Sequence, residues 1–102
     1  MDCRVIISPR ALQDLEEIVR NISIDNPQAA RRFGDKLICA AESLAQFPER
    51  GRIVPEFDDA ITREIVVYPY RIVYRHEKDK NTVGIARFWH GARLLDETAF
   101  RF

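Results

Sequence analysis

The stretch IARFWHGARLL, residues 85–95, brings Arg87, Phe88, Trp89, His90 and Arg93 together beside Gly91. Arg93 and His90 with Arg71 from a neighbouring segment would place two guanidiniums and an imidazole together, which suits a polyanion or a phosphate transition state, since both need charge-assisted donors in fixed positions. His90 ends an apolar run, and Gly91 lets the chain bend so that Arg93 can return beside it. Arg71, on a neighbouring segment, is expected to face the same side. These residues also have a plainer use, in which His90 and Arg93 pin the last strand to its loop by hydrogen bonds. Phe88 and Trp89 fall on opposite faces of a strand, so one is expected in the core and the other on a contact surface.

Other chemistries lack support. There is no Walker loop, GxGxxG or GxSxG sequence, which sets aside phosphate cradling and serine hydrolysis. His76 and His90, without paired cysteines or carboxylates at ligand spacing, make no zinc site, and no metal or cofactor is expected. His76 lies in RHEKDKN, a solvated turn, and is read as having no function. Cys3 and Cys39 are read as buried small hydrophobes in a reducing cytosol. A helix-turn-helix with Arg31 and Arg32 reading DNA is disfavoured by the length and apolarity of the helices. The formal charge is zero, but residues 1–62 carry 8 basic and 11 acidic side chains and residues 63–102 carry 8 and 5. Any polyanion would have to be gripped locally. No run of apolar residues is long enough for a membrane span, and no secretory signal is seen at Met1–Val5, so a cytoplasmic location is expected.

The elements that must position the cluster follow from pattern. Cys3–Ile7 reads as a short strand. Ser8-Pro9 then starts a helix with Leu12, Leu15, Ile18, Val19 and Ile22 on its apolar stripe, leaving Asp14, Glu16, Glu17 and Arg20 wet. Asn26-Pro27 starts a second helix, with Ala30, Phe33, Leu37, Ala41 and Leu44 as its stripe and Phe47-Pro48 as its end. Gly34 inside it implies close approach of the first helix. Residues 49–59 have turn chemistry. Strands are expected at Arg63–Tyr68, Tyr70–Arg75 and Thr82–His90, with Tyr70, Ile72 and Tyr74 on one face and Arg71, Val73 and Arg75 on the other. The expectation is one α+β domain over residues 1–102: an N-terminal strand and a long antiparallel helical hairpin packed on a mainly antiparallel sheet of about four strands.

The whole pattern resembles the RelE/ParE superfamily of type II toxin–antitoxin toxins. The resemblance runs through ISPRALQDLEEI, NPQAARRF, SLAQFPERGR, TREIVVYPYRIVYR and IARFWHGAR. It implies a toxin held inactive by a cognate antitoxin. One branch, RelE-like, cuts mRNA on the ribosome; the other, ParE-like and typical of plasmid stabilisation, poisons DNA gyrase without nuclease chemistry. The long hairpin, PERGR and HGAR resemble the ParE branch, which implies a ParD-like ribbon-helix-helix antitoxin. The alternatives are a ribosome-dependent endonuclease and a degenerate, binding-only homologue. In a nuclease, Glu64, Arg71, His90 and Arg93 would supply base, acid and cations. Contacts to target or antitoxin are expected from Arg63, Arg71, Arg87, Trp89, His90, Arg93, Phe100 and Phe102. Asp96-Glu97-Thr98 interrupts the apolar pattern, and Leu94–Phe102 is read as a target-contact tail on a finished domain.

Overall fold

Two side chains start the helical layer. In the computed structural model, which describes residues 2–57 and 59–93, Ser8 Oγ accepts the Ala11 N–H at 3.0 Å and Asn26 Oδ1 accepts the Ala29 N–H at 3.1 Å. Pro9 and Pro27 each take the first helical turn, where a missing N–H costs nothing. The helices α1 (Pro9–Ser23) and α2 (Pro27–Glu42) form the expected antiparallel hairpin. A Cβ on Gly34 would lie 3.0 Å from Val19 Cγ2, so the glycine does permit the close approach. Helix α2 is shorter than its apolar pattern suggests, because Ser43–Ala45 tightens into a 3-10 turn.

The strands are β1 (Arg4–Ile7), β2 (Arg52–Ile53), β3 (Thr62–Val67), β4 (Tyr70–Glu77) and β5 (Thr82–His90). They form one sheet in the order β1-β5-β4-β3-β2, with β1 parallel to β5 and every other neighbour antiparallel. The two-residue β2 adds a fifth strand inside the segment read as a loop. The β4–β5 turn is shorter than expected: β4 continues through His76 and Glu77, and Asn81, at φ 52°, enters β5 in the left-handed region.

The main core lies between the helices and one sheet face. Leu15, Ile18, Leu37 and Leu44 pack there against Ile65, Ile72, Tyr74, Ile85 and Phe88. A smaller cluster of Val54, Val73 and Trp89, with Phe57 against it, covers part of the outer face. The alternation along β4 is as its pattern predicts. Two expectations are corrected. Cys39 is exposed, while Cys3 is buried. The buried face of α1 runs through Ala11, Asp14, Leu15 and Ile18, so Leu12 is exposed and Asp14 is not wet.

The shift of face at Asp14 has a physical reason. Strand β1 covers β5 only as far as Ile85, and beyond that point the outer edge of β5 has no partner strand among the described residues. Helix α1 fills it. Ser8 N–H donates to the Ile85 carbonyl and Ser8 Oγ to that of Ala86. Asp14 Oδ2 accepts the Phe88 N–H at 3.2 Å and Arg87 Nε at 2.7 Å, and Oδ1 accepts Arg87 Nη2 at 2.9 Å. Asp14 and Arg87 are 6% exposed each, so this is a buried ion pair with its hydrogen bonds satisfied. Removing one partner of such a pair strands the other charge, here along with a buried N–H. Asp14→Ala should therefore lower the unfolding free energy by about 3–5 kcal/mol. Urea denaturation would read this as a lower midpoint at unchanged slope. A loss under about 1 kcal/mol would show that Arg87 and Phe88 find other acceptors.

Candidate functional site

The outer face of the sheet near the β3–β4 turn carries a cluster of alternating charges. Glu64 on β3 and Arg71 on β4 are diagonal neighbours in the antiparallel register, in which Val66 lies opposite Arg71 and Val73 opposite Glu64. Arg71 Nη1 donates to Glu64 Oε1 at 3.0 Å. Its guanidinium also grips Glu56 with two bonds, Nη1 to Oε1 at 3.0 Å and Nη2 to Oε2 at 2.8 Å. Nη2 donates a further bond to the Arg93 carbonyl at 2.9 Å. Arg52 completes the cluster, with Nε 2.7 Å and Nη2 2.6 Å from Glu64 Oε2. The Glu56 hydrogen bonds above all, with those of Glu64, raise the Arg71 guanidinium above its ordinary value against the opposing effect of burial. The Glu64 side chain is completely buried. Two arginines and two glutamates thus cancel, and each has charge-assisted partners.

His90 is not part of that cluster. In the β4–β5 register it lies opposite Tyr70, whereas Arg71 lies opposite Trp89. Side chains alternate along a strand, so His90 shares the helix-layer side with Tyr70 and Phe88 while Arg71 projects to the other. The expectation that Arg71 and His90 face the same side is therefore corrected for their strand faces, while both border one groove at the β3–β4 turn. The His90 ring meets Tyr70 edge-on at 5.3 Å, and its Nδ1 accepts the Ala92 N–H at 3.1 Å. That bond assigns the neutral ring's proton to Nε2.

Gly91 makes the bend possible. Its N–H donates to the Pro69 carbonyl at 2.7 Å, and a Cβ there would sit 2.9 Å from the same oxygen. The chain returns as anticipated. The Arg93 carbonyl accepts from Trp89 Nε1 at 2.9 Å, and the Arg93 guanidinium lies over the indole at 4.5 Å. Arg87 lies 4.8 Å from the same ring. Phe88 and Trp89 do take opposite faces, but both are buried, at 3% and 5% exposure, so the indole ring is core and not a contact surface. Arg87 is tied to Asp14, and Arg63 sits further along β3, donating to the Gly51 carbonyl at 2.9 Å. Phe100 and Phe102, with the rest of the tail Leu94–Phe102, lie outside the described residues.

Gly51 anchors the segment that supplies Arg52 and Glu56. Its N–H donates to the Tyr74 hydroxyl at 3.0 Å, and a Cβ would fall 2.6 Å from both that oxygen and the Glu64 carbonyl. Burial, above all, pushes the Tyr74 phenol up. Sequence reading missed Arg52, Glu56 and Asp14. The first two sit in turn-like segments with no periodicity to read. The Glu64–Arg71 diagonal was accessible, because a hairpin turning at Tyr68-Pro69 sets the two strands in that register.

Two grooves flank His90. One, of about 400 Å³, runs between α1 and the end of β5 and is lined by Arg10, Glu17, Asn21, Tyr70, His90 and Arg93 among others. The second, of about 700 Å³, lies at the β3–β4 turn, with Pro55, Val66, Tyr68, Pro69 and Ala92 around the Arg71 cluster.

The model of the ParE toxin of type II toxin-antitoxin system, parDE, matches residues 5–95. The chain is 41% identical over 91 residues to Toxin RelE2 of Caulobacter vibrioides, covering 89% of this chain and 98% of that one. It is 34% identical over 94 residues to Toxin RelE1 of the same organism, covering 89% and 96%. Among solved structures, it is similar to a chain of the chromosomal ParDE system from P. aeruginosa, with TM-score 0.71 and 16% identity over 86% of this chain and 95% of that one. A chain of the toxin–antitoxin complex RelBE2 from Mycobacterium tuberculosis gives TM-score 0.67 and 24% identity over 88% and 99%. The two structures carry the fold alone. With the family model and the two curated relatives aligned over most of its length, the chain belongs to the ParE toxin family, within the RelE/ParE superfamily of type II toxin–antitoxin toxins.

Proposed function

We propose that this toxin is ParE-like in action: it inhibits DNA gyrase by binding, without nuclease chemistry, and a cognate ParD-like ribbon-helix-helix antitoxin neutralises it by direct contact. The observation that carries this reading is that Glu64 and Arg71, two of the four residues RNA cleavage would need, are bound up in ion pairs with Arg52 and Glu56 and with each other. Attack of a 2′-hydroxyl requires a base with an open lone pair, an acid, and positive charge held in reserve for the pentavalent phosphate. Glu64 already accepts from Arg52 and Arg71, and Arg71 is spread over Glu56, Glu64 and the Arg93 carbonyl. His90, the remaining acid–base group, leaves β5 on the other face and is not among the hydrogen-bond partners of the cluster described above, although it borders the same groove. An antitoxin partner is supported by the family and by the structural neighbours, which are toxin–antitoxin systems.

The names of the relatives RelE2 and RelE1 favour the second reading, a ribosome-dependent mRNA endonuclease. The two separate cleanly in purified components. The toxin should inhibit gyrase supercoiling and leave mRNA intact on translating ribosomes, and His90→Ala should leave that null result unchanged. The gyrase reading fails if the toxin cuts mRNA on ribosomes and His90→Ala, with an unchanged melting temperature, reduces the rate by the 10²–10⁴-fold (a rough scale) of a lost general acid. Inertness in both assays, together with tight antitoxin binding, would mark a binding-only homologue.

Glu64→Gln gives an independent check. A structural Glu64 predicts a stability loss of about 3–5 kcal/mol, since Arg71 and Arg52 would face a neutral amide in a buried site. A catalytic base instead predicts a folded protein of near-native stability with lost cleavage.

A further inference from the structure

The two edges of the sheet near the β3–β4 turn are treated differently. On the β5 side, Ser8 takes up the Ile85 and Ala86 carbonyls and Asp14 the Phe88 N–H where β1 ends. On the β3 side, β2 pairs only with Arg63 and Glu64 and then departs. The Thr62 carbonyl faces β2, where it accepts the Val54 N–H at 3.2 Å. Backbone groups alternate in direction along an antiparallel strand, so Glu64 and Val66 face the same way as Thr62, away from β4. The outward N–H and C=O of Val66 therefore lie beyond the end of β2, with no partner strand among the described residues.

Around this edge the surface is apolar. Val66 is 60% exposed and Tyr68 85%, and with Pro55, Pro69 and Ala92 they line the larger groove. Charge within the groove is balanced, because Arg52 and Arg71 are matched by Glu56 and Glu64. A nucleic-acid backbone would need unpaired cations here. An extended polypeptide needs backbone partners and apolar contacts, and the outward N–H and C=O of Val66, with the apolar side chains around them, offer both. Native sheets usually blunt such an edge with a charge, a proline or a bulge, and Val66 is none of these.

We propose that the β3 edge at Val66 is the target-docking surface, where an extended, uncharged, apolar segment of gyrase adds as a strand beside β3. This rests on the gyrase reading above and specifies which surface of the toxin performs it. It also centres target contact on β3, with His90, Gly91 and Ala92 of the 85–95 stretch at the border of the groove.

The test uses the full toxin with purified gyrase holoenzyme and, separately, the purified cognate antitoxin. Val66→Pro removes the outward N–H while sparing the β3–β4 ladder, as prolines on sheet edges do. It should weaken gyrase binding by about tenfold or more, a typical loss for a central interface contact, with antitoxin affinity and melting temperature unchanged. Val66→Lys, at the same exposed position, should do likewise and serves if the proline variant fails to fold. Hydrogen exchange at the Val66 amide should be fast in the toxin alone and slowed by gyrase. Equal gyrase binding by the folded variants overturns the proposal. So does an amide already protected in the toxin alone, protected only by antitoxin or mRNA, or protected in a dimer of the toxin itself. If the unsubstituted toxin binds no gyrase at all, the functional reading falls, and this partner assignment with it.

Discussion

One carboxylate joins the two layers of this fold. Strand β1 pairs with β5 over four residues, and among the described residues no strand continues along the remaining edge of β5. Asp14 completes it from the helix, accepting one main-chain and two guanidinium hydrogen bonds. The consequence extends beyond the contact. By fixing the rotation of α1, Asp14 decides that Ala11, Leu15 and Ile18 face the sheet and that Leu12 does not. By occupying Arg87, it takes one of the cluster's guanidiniums out of service for any ligand. The hydrophobic effect has no direction of its own; a buried, fully bonded charge supplies one.

The Arg52–Glu64–Arg71–Glu56 cluster acts in a similar way on the outer face. Buried ion pairs add little to net stability over an apolar packing, because desolvation offsets attraction. Their effect is on position and on charge. Glu56 holds residues 54–57 against the sheet, where Val54 and Phe57 meet Trp89 and Val73. The Arg93 carbonyl, bonded by both Arg71 and Trp89, holds the end of the described chain to the same place. What remains is a groove with charged groups in its lining and no net charge to give a phosphate.

Legibility in the sequence divides along the same line. The helices were readable because their starts are chemical, Ser8-Pro9 and Asn26-Pro27, and their stripes periodic. The faces of β4 were readable from strict alternation. The two-residue β2 was not, since a strand so short has no period and exists only through pairing with β3. Burial of Asp14 was hidden for a related reason: a polar residue off the apolar stripe reads as wet unless its distant partner is known. The relation of Arg71 to His90 depended on register. A single step of register exchanges the faces of every side chain, and the β-bulge at Val73/Tyr74 makes that register hard to count from the turn. The cluster at 85–95 thus signalled the family while its internal geometry stayed out of reach.

The fold is shared by proteins named for both activities, and the relatives here carry RelE names beneath a ParE family model. A name or a backbone trace cannot decide between binding and cleavage, because function depends on the site and not on the architecture. The deciding physical quantity is whether charge in the groove is spent or reserved. A site that stabilises a pentavalent phosphate must leave its cations unpaired in the ground state, and that is costly for a small domain with one main core. A site that only binds protein has no such requirement and can close its charges on one another. In this chain Arg71, the cation best placed to meet a phosphate on the outer face, is paired with two carboxylates and a carbonyl. Opening that cluster for catalysis would mean breaking several charge-assisted hydrogen bonds at once. Binding through the neighbouring β3 edge would break none of them.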